Sequence, residues 1–325
     1  MQINPLQATR HLTGAPRWIW YLLLVKAGQA SRTAEYVALF RAIESSLPAD
    51  RRLFEDPFAR RFLRPKLAML ASLCQVPGVA DLVARFIDSR WAGARSSAVA
   101  RTRLIDDTIG RALEQGIEQL VILGAGFDAR AYRIGALSDL PVFEVDHPDT
   151  LARKRRLLRR VSAEAASHVR FVSIDFRSSG LDQVMTAAGY SKNLRAFILW
   201  EGVTNYLNEG AVDATLRWCA SAAPGSQLVF TYVHSAVLDD PKSFAGTERL
   251  FETLKAAGER WTFGLDPAEL AQFLDERGLL LEEDIGSADY RARYMPRVSQ
   301  IMRGYEFYRL ALARVPGRAT EEPIG

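Results

Sequence analysis

Hydrophobic positions along this chain change their period near residue 118. Upstream, Tyr36, Val37, Phe40, Ile43 and Leu47 recur at helical spacing, and DLVARFIDSRW and ARTRLIDDTIGRAL continue the pattern until Gly116 stops it. In LFEDPFARRFL, Asp56 and Pro57 read as a cap followed by proline at the first helical position. From residue 119 onward, short apolar runs alternate with helical ones. The stretches QLVILG, PVFEVD (141–146), VRFVSID (169–175), AFILWEG (196–202) and SQLVFTYVH (226–234) predict five strands, separated by helices over 151–161, 181–189 and 209–223. Asp266 and Pro267 open another helix in PAELAQFLDERG, and LLLEEDIG (279–286) and FYRLALARV (307–315) predict a closing pair of strands. The pattern predicts an α/β fold: a Rossmann-like, seven-stranded, mostly parallel sheet with an antiparallel last strand. The expected organisation is an extension over 1–30, a helical region over 31–118 and a core over 119–325. Within the core, residues 235–263 are polar and helical enough to cap a cleft.

Composition adds a frame. With 325 residues, 48% hydrophobic and 25% charged, the chain has material for one large core plus a helical cap. A net charge of +4 does not imply wholesale nucleic-acid binding. The basic run Arg153, Lys154, Arg155, Arg156, Arg159, Arg160 has no interleaved aromatics for base stacking and reads as a solvated helix face, with Leu151, Leu157, Leu158 and Val161 turned inward. Cys74 and Cys219 have neither disulfide-framework nor zinc spacing. The apolar run WIWYLLLV (18–25) is too short to cross a bilayer, which takes about twenty residues. It reads as a helix packed on the body, or as a peripheral membrane contact, and a cytoplasmic enzyme is expected.

The chemistry concentrates in LGAGFDARAYRI and FEVDHP. A buried strand, Gly124 and Gly126 in a tight turn, and then Asp146 one βα unit later form the arrangement by which α/β folds hold an adenosine cofactor. Glycine lets the backbone approach the ligand, and the acid can accept both ribose hydroxyls. Asp146 could instead cap the helix that His147-Pro148 opens. Glu201 follows the apolar run Phe197 to Trp200, so it sits where ligand crevices open in such sheets, its alternative being a pair with a nearby arginine. Gly124, Gly126 and Ala129 also fit the dinucleotide fingerprint, which keeps an NAD-dependent oxidoreductase open, as does a non-enzymatic scaffold retaining the fold.

In their order and spacing, LGAGFDARAYRI, FEVDHP, VSIDF and ILWEGVTNYL resemble the leucine carboxyl methyltransferase family and its bacterial branch of S-adenosylmethionine-dependent O-methyltransferases. TAEYVALFRAIES, LFEDPFA, ARTRLID, GERWTFGLDPAEL and ADYRARYM extend the likeness over roughly residues 31–313. The sequence has no clustered metal-ligand spacing, and no metal is expected. The resemblance implies a class I methyltransferase fold and S-adenosyl-L-methionine as cofactor. It implies that Arg101 meets the methionine carboxylate, Gly124 and Gly126 the methionyl part, and Asp146 the ribose. Asp175 and Phe176 would sit at the adenine edge, and Glu201 near the amino group. Asp128 and Arg130 fit the same pattern, with loop bracing as their expected work.

The acceptor follows from what each oxygen needs. A carboxylate is ionised at neutral pH, whereas a phenol near pKa 10 needs a base. Only four histidines are present, and His234, at the end of the fifth strand, is the candidate base. Tyr206 is the second catalytic candidate. Arg249, Arg260, Arg291 and Arg293 are candidates to meet an acidic substrate, and Tyr206, Tyr232, Tyr290 and Tyr294 could offer hydrogen bonds or an aromatic face. The expected reaction is methyl-esterification of a small-molecule acid. A phenolic acceptor and a protein C-terminal carboxylate are the alternatives.

Overall fold

The computed structural model describes residues 32–159, 167–175 and 180–317. The expected extension over 1–30 with its apolar run, Phe176, and the Arg160 and Val161 end of the basic helix lie outside the described residues.

The first third is helical: α1 (Arg32–Ser45), α2 (Pro65–Leu73), α3 (Val79–Arg90) and α4 (Ala94–Glu114). Asp56 does cap, its carboxylate accepting the N–H groups of Phe58 at 3.0 Å and Ala59 at 2.8 Å, but what it caps is the 3-10 turn Ala59–Phe62 rather than an α-helix. The alternating region then gives β1 (Gln119–Leu123), β2 (Val142–Asp146), α5 (Pro148–Leu158), β3 (Val169–Ser173), α6 (Leu181–Ala187), β4 (Ala196–Trp200), α7 (Glu209–Ala220) and β5 (Gln227–Val233). The chain closes with α8 (Thr247–Ala257), α9 (Leu270–Asp275), β6 (Leu280–Gly286), α10 (Ser287–Tyr294) and β7 (Tyr308–Arg314). The seven strands form one sheet in the order β3-β2-β1-β4-β5-β7-β6. The first five pair in parallel, and β7 runs antiparallel to both of its neighbours.

Alternation along the buried strands sends side chains into two cores. Val121, Phe143, Ile198, Phe230 and Tyr232 pack with Leu181, Met185, Val212 and Leu216 of α6 and α7. Leu120, Val142, Phe197, Leu199 and Val229 pack with Ala100, Leu104, Ile105 and Ile109 of α4. A third cluster joins α1, α2 and α3 to Phe127 and Ala129, the residues just after the glycine turn, with Phe62 stacked on Phe127 at 5.3 Å. A fourth joins Val233, Val237, Leu250, Leu254, Trp261, Phe307 and Tyr308 beyond the end of β5. The last two clusters cover the sheet's C-terminal edge, where open α/β folds place their ligands.

One local expectation fails informatively. Lys154 is fully buried rather than solvated, whereas Arg155, Arg156 and Arg159 are exposed and Leu151 and Leu158 point inward as the periodicity requires.

Candidate functional site

A cavity of about 490 Å³ follows the C-terminal edge of the sheet from β2 to the region after β5. At one end it is lined by Asp146, Thr150 and Arg153, in the middle by Gly124, Ala125, Gly126, Arg101 and Glu201, and at the far end by Tyr206, Leu254, Glu259, Trp261 and Tyr305.

The glycine turn owes its shape to β2. Gly124 and Ala125 donate their N–H groups to the Val145 carbonyl at 2.8 and 3.0 Å, and Gly126 donates to Asp146 Oδ2 at 2.6 Å. Gly124 sits at φ +68°, and a Cβ there would stand 2.2 Å from Val203 Cγ2, so both conformation and space demand glycine. Asp146 accepts a second N–H, from His147, on Oδ1 at 2.6 Å. The helix cap at this point is His147, which accepts Asp149 N–H at 3.3 Å, so capping does not occupy Asp146. Burial raises the Asp146 carboxyl, with the two N–H groups offsetting part of that. Each oxygen retains lone pairs, and the carboxylate faces the cavity as a diol acceptor would. Asp175 lies close by in the chain, one residue past Ile174, which donates to the Asp146 carbonyl at 3.0 Å; it is half-buried and is not among the residues lining the cavity.

The middle is a network of ionised groups. Arg101 of α4 donates through Nε to Glu201 Oε1 at 2.7 Å and lays its guanidinium over the Tyr308 ring at 4.6 Å. Arg130 donates to Glu201 Oε2 at 3.0 Å, to Asp106 at 2.8 Å, and to Asp128. Arg41 of α1 donates to the Phe127 carbonyl at 2.5 Å. Burial works to raise the Glu201 carboxyl, but Arg101 and Arg130 outweigh it and hold it below the usual carboxylate range. Asp128 is held well below that range in the same way, by Arg130, Arg41 and Lys154 against burial.

The far end is different in kind. Tyr36, Trp91, Leu250, Leu254, Trp261 and Tyr305 supply apolar and aromatic walls. Among them stands Glu259, whose Oε2 accepts the Thr33 hydroxyl at 2.6 Å and the Tyr206 hydroxyl at 2.9 Å. Tyr305 is in the left-handed region at φ 64°, held there by the Ser287 hydroxyl on its carbonyl at 2.5 Å and by Arg291 on the preceding Gly304 carbonyl at 2.5 Å.

The structure therefore gathers Arg101, Gly124, Gly126, Asp146, Glu201 and Tyr206 around one cavity. It leaves His234 out. That ring packs against Phe244 with centroids 5.5 Å apart, and its Nδ1 accepts Ala236 N–H at 3.2 Å, a turn-bracing position outside the cavity lining. The four arginines expected to meet an acidic substrate are also elsewhere. Arg249 donates to the Arg90 carbonyl, Arg291 is buried against Glu306, and Arg260 and Arg293 are exposed. Tyr290 meets Ser97, Tyr232 meets Asp284, and Tyr294 meets Asp107, and none of the three is among the residues lining the cavity. Sequence reasoning missed Arg41, Glu259, Trp261, Tyr305 and Tyr308 as lining residues. For Glu259 and Trp261 the signal was present in GERWTF, a segment of the resemblance in which only Arg260 was given a substrate role.

A model of the family described as leucine carboxyl methyltransferase matches residues 34–220, more than half of the chain. The chain belongs to the leucine carboxyl methyltransferase family. A Mycolicibacterium gilvum protein named "Putative S-adenosyl-L-methionine-dependent methyltransferase" is 35% identical over 231 residues, covering 70% of this chain and 74% of its own. One of the same name from Mycobacterium sp. (strain JLS) is 29% identical over 272 residues, covering 78% and 84%. The solved structure of a "putative methyltransferase" from Thermobifida fusca shares the fold, with a TM-score of 0.54 at 18% identity over 86% of this chain and 94% of that one. This family member is an S-adenosylmethionine-dependent methyltransferase with a class I sheet. The residues fit the cofactor: an acid with two fixed oxygens, a turn no side chain could replace, and an arginine of α4 held by the acid that follows β4. Among the described residues of this methyltransferase, no helix is long and apolar enough to cross a membrane.

Proposed function

We propose that this methyltransferase acts on an oxygen of a small, largely apolar acceptor, and that the oxygen is a hydroxyl. The observation that carries this is Glu259 at the far end of the cavity, bonded to Thr33 and Tyr206. The arginines lining the cavity, Arg41, Arg101 and Arg153, belong to its cofactor side: Arg41 and Arg153 meet Phe127 and Arg101 meets Glu201. An acidic acceptor entering beside Glu259 would bring like charges together. A neutral hydroxyl instead finds a carboxylate able to take its proton.

Asp146, Gly124, Gly126, Arg101, Glu201 and a partner at the adenine edge such as Asp175 would hold S-adenosylmethionine, which supplies a methyl already activated on a sulfonium. The protein's part is positioning, worth roughly 7–11 kcal/mol when the reacting atoms are aligned. When the acceptor oxygen displaces S-adenosylhomocysteine from the methyl carbon, the carbon–sulfur bond breaking as the carbon–oxygen bond forms, its proton would pass to Glu259. Tyr206, by donating to the same carboxylate, fixes which way it faces. Burial, and then Glu259, push the Tyr206 phenol upward, so Tyr206 works as a neutral donor.

The family's description favours the second reading, methyl-ester formation on a carboxylate. Aromatic acids that carry a phenol and a carboxyl on one ring, supplied with methyl-labelled S-adenosylmethionine, separate the two. An alkali-stable ether supports the hydroxyl reading, and label released by alkali as methanol establishes the ester.

A further inference from the structure

The least expected side chain in the molecule is Lys154. Its run of basic neighbours marks a solvated face, yet its ammonium lies behind the glycine turn with no exposure, 2.8 Å from Glu144 Oε2, itself fully buried. Burying such a pair costs several kcal/mol per ion before the attraction returns any of it, and replacing a buried pair by apolar side chains of similar volume is often neutral or stabilising. Stability alone is therefore a poor reason for this lysine.

Its other contacts point at the cofactor. Nζ approaches the Ala125 carbonyl at 3.4 Å, and Ala125 stands between Gly124 and Gly126. That carbonyl also accepts Asp128 N–H at 2.8 Å, so the turn is gripped from front and back. Glu144 and Asp146 are two residues apart on β2 and so emerge on one face of the strand, while Phe143 and Val145 enter the opposite core. The carboxylate that pairs with the ammonium thus shares a strand face with Asp146, and Asp146 and Asp128 line the cavity. Tyr132 closes the space with its ring 5.7 Å from Nζ.

We propose that Lys154 is a positioning residue for S-adenosylmethionine: it locks the Ala125 carbonyl of the glycine turn and supplies the buried positive charge opposite the ribose acid Asp146, beyond neutralising Glu144. The direction of charge effects agrees, since Lys154 favours the ionised forms of both Asp146 and Asp128. An ionised Asp146 accepts on both oxygens, as two ribose hydroxyls require.

The test removes the pair together. In E144L/K154M neither member of the buried pair is left without its partner, so the thermal midpoint of the full chain should stay within a few degrees of wild type. S-adenosylhomocysteine affinity, read by calorimetry, should nevertheless fall by about tenfold, equivalent to roughly 1.4 kcal/mol. E144Q keeps the lysine and should bind within threefold of wild type. Affinity restored to wild type in the double variant would overturn the proposal, since Lys154 would then be only the counter-ion of Glu144. Equal loss in E144Q and K154M would overturn it too, because the pair and not the lysine would matter. Should E144L/K154M fail to fold, E144Q/K154Q keeps two neutral hydrogen-bonding groups of similar shape and is judged against E144Q by the same affinity ratio. The inference rests on the cofactor and not on the acceptor, so a hydroxyl or a carboxylate outcome above leaves it standing.

Discussion

The two halves of the cavity are built on different principles. Around the cofactor end, Arg41, Arg101, Asp128, Asp146 and Glu201 are ionised groups fixed by one another and by backbone amides at the ends of parallel strands. Around the acceptor end, Tyr36, Trp91, Leu250, Leu254, Trp261 and Tyr305 come from α1, the turn after α3, α8, the segment after it and the turn before β7. A charged nucleoside of constant shape is matched by dipoles and charges that need no rearrangement on binding. A variable apolar guest is matched by area, with a single carboxylate to say which atom reacts. The first half should therefore fail through charge and the second through chemistry.

The largest expected effect breaks the first half. Arg130 is 1% exposed in its side chain and serves Asp106, Asp128 and Glu201 together, so R130M withdraws a cation from three largely buried carboxylates at once. We expect a loss of about 3–5 kcal/mol in urea denaturation at pH 7. Asp128 and Glu201 have folded pKa values below their unfolded ones, so their contribution is fully present above about pH 4 and disappears as pH falls through the folded values. The gap between wild type and R130M should accordingly narrow below pH 4. A gap that stays constant with pH would assign the loss to packing.

E259Q probes the second half. The isosteric amide keeps an oxygen for Thr33 and Tyr206 but is no longer a base. Turnover of a hydroxyl acceptor should fall at least about a hundredfold, the lower end of what a positioned base contributes, with S-adenosylhomocysteine affinity unchanged within twofold. Undiminished turnover would remove Glu259 from the reaction.

Legibility in the sequence divided along the same line. The strands were readable because parallel strands buried on both faces are continuous apolar runs, and Gly124, Gly126, Asp146 and Glu201 were readable because each occupies a strand end in sequence order. Boundaries were read long at VRFVSID and AFILWEG, since β3 stops at Ser173 and β4 at Trp200, where Gly202 takes φ +74°. Of the acceptor carboxylate and its two partners only Tyr206 was named from the sequence, because Thr33, Tyr206 and Glu259 meet only through tertiary packing, 226 residues separating the first from the last. Lys154 was misread for the opposite reason. A basic run carries a strong prior for solvent, and nothing local announces that one member of it meets Glu144 on the strand before the helix.

D146A is a smaller break in the cofactor half. A hydrogen bond to a charged group is worth about 1.5–3 kcal/mol, so losing the acceptor should weaken S-adenosylhomocysteine roughly 10- to 100-fold by calorimetry. Asp146 also receives Gly126 N–H, so part of the loss belongs to the turn. D146N, which keeps one acceptor oxygen, should lose less, and equal losses would mean that turn geometry rather than ribose binding is being measured.

His234 against Glu259 is the sharpest form of the comparison, and it carries the smallest expected effect. From the chain alone a histidine at the end of β5 is the better base, because its ordinary pKa lies nearer neutrality than a glutamate's. The folded molecule reverses that order through placement. His234 turns toward Phe244 and spends Nδ1 on the Ala236 amide, whereas Glu259 faces the cavity with two hydroxyls aiming it. H234A should therefore leave S-adenosylhomocysteine affinity unchanged and turnover within about threefold, with a stability loss on the order of 1 kcal/mol from the missing turn bond. A hundredfold drop in turnover in H234A, with E259Q unaffected, would exchange the two roles. It would mean that the cap residues 235–263 repack when the acceptor enters and carry the imidazole into the cavity. Two variants assayed against one acceptor thus decide whether the acceptor half is preformed around a carboxylate or assembled around a histidine.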